Sequence, residues 1–416
     1  MKKILFLAAI LATFSGAAAA EKIPENLKKT LDFKNEIYDF YLPLRKNPDF
    51  LTREISEKKK NFEFWGDKIP EKSPPKKFGK WHLDRQKFRE FVDEYLVPKI
   101  ERDPQNVRIF RDENGKIQFD GAGVDGRKID FEALLAAANL AIENDFPPIQ
   151  IPLKTTPPKI SVDDPELRKM GISDLLAVGE SDFSRSSYSR IFNIEAGKNR
   201  FNGVLIPKGA IFSFNDLLGP VDKKHGFLPE LVIVGPKLSK EYGGGLCQVS
   251  STTFRAALLA GLPIVERHNH SFAVNHYRPW GTDATIYIGG KNFKFQNDTP
   301  APILIQTTMD RKKQILRFHF YGKKDGRAAR FFGPIISKKV PPLPPKVEYS
   351  EKIPDGEFEK VSNAVPGFHA AWTRIVLPGD QKLSAAKKSV YSFLSKYQPR
   401  ADWKIVGGKP PEEKSE

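Results

Sequence analysis

Gly243-Gly244-Gly245-Leu246-Cys247-Gln248-Val249-Ser250-Ser251-Thr252 is the stretch on which the reading of this chain turns. Ala256 to Ala260 continue it as a helix, and Gly261 and Pro263 end that helix, glycine being a natural cap and proline unable to prolong it. Cys247 therefore stands at or just before a helix N-terminus, behind three glycines. Free N–H groups and the helix dipole favour an anion there and lower a thiol pKa. Glycines also let a substrate backbone come close, and the run shows no packing reason of its own. Gly243, Gly244, Gly245, Gln248 and Ser250 are accordingly candidate binding residues, with the N–H groups near Gly245 and Gln248 as an anion cradle. The competing reading of Cys247 is a small buried hydrophobe.

Beyond the helix, Ile264 to Val274 reads as a strand. Glu266, His268, His270 and Phe272 fall on one face, and Arg267, Asn269 and Ser271 on the other. Three of the seven histidines lie between His268 and His276. Gly281-Thr282-Asp283-Ala284-Thr285 then precedes an expected strand, Ile286-Tyr287-Ile288. Cysteine at a helix start, histidine next and aspartate after it suit a thiol nucleophile, an imidazole base and a carboxylate that orients the base. The base is His270 or His268, and the orienter is Asp283. The same groups suit zinc, through His268, His270 and Asp283 with Cys247 as a further donor. They also suit a hydrogen-bonded polar core without chemistry.

Outward from this region, composition sets the class. The chain has 416 residues, two or three domains at about 150 residues each. Hydrophobic residues make up 40% and include 31 Phe, enough to build real cores. A single cysteine excludes a disulfide framework, an iron–sulfur protein and a multi-cysteine zinc site. The formal charge is +16.

The first twenty residues read as a secretory signal. Lys2 and Lys3 precede the apolar run Ile4 to Phe14, and Ala18 and Ala20 form an A-x-A site before Glu21. An uncleaved anchor is the alternative. No later segment offers about 20 consecutive apolar residues. Loss of Lys2 and Lys3 takes the formal charge from +16 to +14. An exported basic protein meets anionic wall polymers, peptidoglycan carboxylates and lipid headgroups rather than nucleic acid. The expected location is the cell wall, or the extracellular or periplasmic space.

The sequence divides the chain into a signal at 1–20, a helical N-terminal region at 21–95 and a small α+β unit at 96–165. The central domain follows at 166–322, then a Pro-rich linker at 323–345, a β-rich module at 346–408 and a polar tail at 409–416. Within the α+β unit, Asn106 to Phe110 and Lys116 to Phe119 pair across the turn Asp112-Glu113-Asn114-Gly115. Gly121, Gly123 and Gly126 mark a bend. Asp130 caps a helix through Glu143 that buries Phe131, Leu134, Leu135, Ala138 and Ile142, and Ile149 to Leu153 returns as a strand. Val340-Pro341-Pro342-Leu343-Pro344-Pro345 reads as a stiff spacer.

Lys208-Gly209-Ala210-Ile211-Phe212-Ser213-Phe214-Asn215, Leu218-Gly219-Pro220, Gly243 to Thr252 and Glu266-Arg267-His268-Asn269-His270-Ser271 together resemble the VanW family. Arg190 to Ile194, Asp283-Ala284-Thr285 and Phe293 to Asn297 fit the same resemblance, which covers about residues 170–320. On its strength Asn215 and Arg267 join the candidate binding residues. Val107 to Pro158 is similar to a peptidoglycan-binding domain placed ahead of VanW and of some L,D-transpeptidase domains, the match resting on pattern and on Gly126 and Asp130. Tyr349 to Gly407 looks like the β-rich tail of other VanW proteins. The resemblance implies a bacterial envelope protein and, by name, a link to glycopeptide resistance; it supplies no activity. The Cys–helix–His–Asp order also resembles the transglutaminase-like cysteine fold. It departs from that pattern in its short Cys-to-His interval and in having no Trp after the candidate His.

The expectation is an α+β, multi-domain, exported envelope protein that binds peptidoglycan. Its Cys247, His270 or His268, and Asp283 would act on acyl or amide groups of stem peptides. The alternatives are a non-catalytic wall-binding protein and a metal-dependent wall hydrolase. No cofactor is expected beyond zinc in that last case.

Overall fold

The computed structural model describes Pro24, Leu27 and residues 29–34, 39–56, 78–234, 237–379 and 389–409. The expected signal segment and Trp65 lie outside the described residues. The fold is mixed α+β, built from many small sheets and few helices. Contacts group the chain into two units, one of residues up to Pro104 with Asp125–Pro157, the other of Gln105–Val124 with Pro158–Glu416. The span 96–165, taken from sequence as one module, contributes to both.

In the first unit, Thr30–Lys34 pairs antiparallel with Asp39–Pro43 and parallel with Ile149–Gln150. Leu51–Ser56 pairs with Phe78–Leu83. The described part of 21–95 is thus mainly strand, not the expected helices. Leu31 and Phe33 are buried two residues apart, the period that a strand and not a helix presents to a core. They pack against Phe88 and Phe91 of the helix Arg85–Phe91 and against Leu134. The helix Phe131–Glu143 forms as expected, with the Asp130 carboxylate accepting from the Ala133 N–H at 3.3 Å. The single return strand expected over 149–153 is instead two short ones; Leu153–Thr156 pairs with Gly126–Ile129.

The second unit opens with the expected hairpin, Gln105–Arg111 with Ile117–Val124. Its turn is held by Asp112, which accepts from the N–H groups of Asn114 and Lys116. The centre is a four-stranded sheet in the order Asp174–Asp182, Ile315–Gly322, Ile303–Asp310, Leu205–Ile206. Beside it, Lys294–Gln296 lies between Ile211–Ser213 and Ile264–Glu266. The core is rich in phenylalanine, with Phe201, Phe212, Phe254, Phe293, Phe295 and Phe318 all buried. The cysteine helix, Leu246–Leu259, lies against the strand Asp174–Asp182 at Gly179. A Cβ there would fall 2.2 Å from the Thr252 carbonyl and 2.6 Å from the Ala256 nitrogen. Gly179→Ala should therefore push helix and strand apart and cost about 1–3 kcal/mol. Thermal or denaturant unfolding checks this, and an unchanged midpoint would refute the close approach.

The C-terminal part corrects another boundary. Ala328–Val340, expected within a linker, is a long strand paired with Gly367–Leu377, which in turn pairs with Ser389–Tyr397. Phe331 and, past a register shift between Phe332 and Ile335, Ile336 turn to apolar neighbours, which is why the segment holds to a sheet. Of the expected linker, 323–327 and 341–345 remain outside regular structure, the latter leading to a second sheet of Lys346–Ser350, Trp403–Gly407 and Phe358–Ser362.

Candidate active site

Gly245 caps the cysteine helix at φ +113°, and Gly243 precedes it at φ +81°, both in the region that glycine alone adopts freely. A Cβ on Gly243 would come 2.4 Å from Val221, and one on Gly245 3.0 Å from Ile194. The Gly244 carbonyl accepts from Asn193 at 3.2 Å. The glycine run therefore has a packing reason after all, contrary to the sequence reading. The expected anion cradle also changes. The Leu246 N–H bonds the Gly243 carbonyl, and the Gln248 N–H bonds the Gly245 carbonyl at 2.9 Å. The Gln248 side chain is buried, donating to Ser181 and the Asp182 carbonyl and accepting from Arg190.

Cys247 is the second residue of the helix and is partly exposed. Its Sγ lies 3.5 Å from the Thr285 hydroxyl and 3.6 Å from the Ile286 carbonyl. Ser250 and Ser251 bring that loop to the helix, since both hydroxyls bond the Ala284 carbonyl and Ser251 accepts from the Ala284 N–H. Ser250 thus acts on the fold rather than on a ligand. Asn215 does the same from the other side, donating to the Tyr287 and Lys291 carbonyls. The expected strand 286–288 is this loop, closed by the Tyr287 N–H on Lys291.

The histidine segment departs most from expectation. The strand ends at Glu266, and residues 267–274 leave it. The cause is Asp283, whose buried carboxylate takes over hydrogen bonding that a ladder would have supplied. One oxygen accepts from the His270 N–H at 2.8 Å and bonds His270 Nδ1 at 2.6 Å. The other accepts from Arg267 at 3.1 Å. Arg267 also bonds the Asp283 and Gly281 carbonyls and lies over the rings of Phe254 and Phe393, so it is a buried support and not a ligand-facing cation. His268 turns away to Glu266, 3.1 Å off, with an exposed ring. The two histidines do not share a face, and only His270 joins Asp283. Among the described residues, no group of three or more His, Cys, Asp or Glu is placed to hold one metal ion.

The electrostatics follow from that geometry. Burial pushes the Cys247 thiol up, but the hydrogen bond and charge of His270, helped by Thr285 and the Ile286 backbone, bring it down to about 7. Burial opposes a charged His270, yet Tyr277, Asp283 and Cys247 around it raise its pKa well above the ordinary imidazole value. Burial likewise opposes the Asp283 charge, and His270 and Arg267 overcome it, holding the carboxyl well below its usual range. A proton shared by thiol and imidazole therefore favours the imidazole, and Asp283 supports the resulting cation.

Three contributors escaped the sequence reading. Tyr277 stacks on His270, with centroids 4.3 Å apart and planes 12° apart. Arg255, buried in the cysteine helix, donates to the carbonyls of Glu180, Tyr277, Arg278 and Thr282 and so fixes the segment carrying Tyr277. A lone Arg amid Phe254 and Ala256 was a usable signal for this. Tyr397, on the last strand of the first C-terminal sheet, donates to Asp283 at 2.6 Å and accepts from the Gly281 N–H at 2.9 Å. Nothing in its own neighbourhood announces that role.

Comparison with known proteins meets the same region. The family described as "VanW like protein" matches residues 189–320, which hold Cys247, His270 and Asp283. The uncharacterized protein YoaR of Bacillus subtilis (strain 168) is 33% identical over 225 residues, 54% of this chain and 71% of that relative. The vancomycin B-type resistance protein VanW of Enterococcus faecalis (strain ATCC 700802 / V583) is 34% identical over 131 residues. That second match covers 30% of this chain and 48%, about half, of the relative. On the identity shared across most of the length of the Bacillus relative, this chain belongs to the VanW family.

Proposed function

We propose that this chain is an exported cell-envelope protein that binds peptidoglycan and acts on acyl or amide groups of its stem peptides through Cys247, His270 and Asp283. Family membership supports a place at the cell wall linked to glycopeptide resistance, the resistance being what the Enterococcus relative is named for. The basic surface, +14 without residues 1–20, suits an acidic wall. No helix among the described residues is long and apolar enough to cross a membrane. The observation that carries the chemical reading is His270 lying between Asp283 and a partly exposed thiol whose pKa falls to about 7.

In this reading His270 holds the thiol proton and Cys247 attacks the carbonyl as thiolate. An S–C bond forms, the C–N bond breaks, and the departing amine takes the proton from His270. The thioester is then released by water, giving hydrolysis, or by an amine, giving acyl transfer. The shared order of the three groups is the extent of the analogy with transglutaminase-like enzymes. Incubation with purified peptidoglycan fragments, read by mass spectrometry, tests the proposal. The wild type should change the fragments and Cys247→Ala should not. Identical product patterns from both proteins would leave a wall-binding protein in which the polar cluster is architecture.

A further inference from the structure

We infer that Arg190 binds a carboxylate of the substrate beside Cys247, so that the preferred substrate is a peptide with a free carboxylate close to the attacked carbonyl. This deepens the peptidoglycan reading above and rests on it.

Arg190 lies in the first turn of the helix Tyr188–Asn199, which Ser187 caps. It abuts the start of the cysteine helix: its carbonyl and Cγ lie 3.1 and 3.2 Å from where a Gly245 Cβ would sit. One terminal nitrogen donates to Gln248 Oε1 at 3.1 Å and reaches Tyr277 Oη at 3.5 Å. Gln248 follows Cys247 in the chain, and the Tyr277 ring is the one stacked on His270. The guanidinium therefore borders two of the three reacting groups through their immediate neighbours.

Both of its hydrogen-bond partners are neutral. Its Nε is buried without a hydrogen-bond partner, and among the described residues no carboxylate pairs with it. The other arginines nearby differ: Arg267 is committed to Asp283, Arg317 to Glu180, and Arg255 to four backbone carbonyls. Asp182, whose charge acts on His276, accepts from the Ser184 N–H, and Glu230 accepts from the Ser187 and Ser189 hydroxyls. The unbalanced cation is felt locally: burial first, then the charge of Arg190, lowers His276 to about 4, against the opposing pull of Asp182. An isolated buried N–H is costly, and a carboxylate satisfies a guanidinium edge with two parallel charge-assisted bonds. A lysine could not offer that fork. Stem peptides carry such groups at the C-terminus and on side chains, and the two sources share this chemistry.

Two measurements on the full chain test the assignment. In the first, Cys247 is alkylated by iodoacetate and, separately, by iodoacetamide; in each case an S–C bond forms and iodide leaves. The acetate should be favoured, relative to the amide, about fivefold or more over the ratio for unfolded protein. Arg190→Gln should remove that preference and Arg190→Lys should keep part of it. In the second, Cys247→Ala is titrated calorimetrically with a disaccharide–tetrapeptide as free acid, as C-terminal carboxamide and as side-chain carboxamide. Masking the recognised carboxylate should weaken binding about tenfold, which names its source, and the difference should vanish when Arg190→Gln is added. Equal reagent ratios in wild type and Arg190→Gln, or equal affinity for all three fragments, would overturn the assignment. Failure of either reagent to modify folded protein sinks the nucleophile reading alone, and the titration then decides Arg190.

Discussion

Replacing His270 by Ala should move the pH midpoint for alkylation of Cys247 from about 7 to above the free-thiol value of about 8.5. Burial acts on this thiol in the opposite sense to His270, so once the imidazole is gone nothing of comparable size opposes burial. At pH 7 the thiolate fraction should fall from about a half to about 3% or less. The more basic thiolate is a better nucleophile, which returns a few-fold of the alkylation rate. Turnover has no such relief. It also loses the group that hands a proton to the departing amine, a further loss of about 10²–10⁴. His268→Ala is the control. Its ring pairs with Glu266 in solvent and should leave the midpoint near 7. A midpoint that moves equally in both variants, or in neither, would falsify the assignment of His270 as the partner of the thiol.

Local signals in this chain were readable and long-range ones were not. The cysteine helix was legible because glycines at 243–245 and at 261 bracket an apolar-periodic run, and Asp130 announced its helix in the same way. The histidine segment misled because its residue types alternate with the period of a strand. What broke the strand was a single buried carboxylate thirteen positions beyond His270, which bonds that residue's backbone and side chain. Pattern counts neighbours and cannot see such a competitor. The strands Thr30–Lys34 and Asp39–Pro43 were hidden for the converse reason: lysine and glutamate dominate the composition around them, while a few apolar residues fix the sheet. The linker reading of 323–345 failed because prolines at 341, 342, 344 and 345 drew attention from the strand before them. Of the site, residue types and order were legible. The choice of His270, the supporting role of Arg267 and the arrival of Tyr397 from beyond the central domain needed coordinates.

Asp283→Ala should be the most damaging single change to stability in the central domain. The carboxylate is almost wholly buried, and it faces the Arg267 guanidinium, 4% exposed, at 3.1 Å. Deleting it leaves that cation buried without its counter-charge, a defect of about 3–5 kcal/mol. The Tyr397 hydroxyl loses its acceptor and the His270 N–H loses its own, so the loop and the C-terminal sheet part company at one point. Asp283→Asn separates folding from chemistry. The amide keeps one oxygen for Arg267 and Tyr397 and should cost less stability. Its NH₂ then faces both His270 Nδ1 and the His270 backbone N–H, which loses its acceptor, and the wrong tautomer that this favours should lower turnover about 10⁴-fold. The sign of the pH dependence follows from a folded-state pKa held well below the usual range. The carboxylate's contribution is complete above the unfolded value of about 3.9 and is lost only as pH falls through the folded value. Asp283 also holds the His270 pKa up, and that contribution grows as pH falls, so denaturant unfolding should show a gap between wild type and Asp283→Ala that holds or widens from pH 7 to pH 5 and closes only in stronger acid. A gap that already narrows between pH 7 and 5 would mean that the charge on Asp283 does not hold the site together.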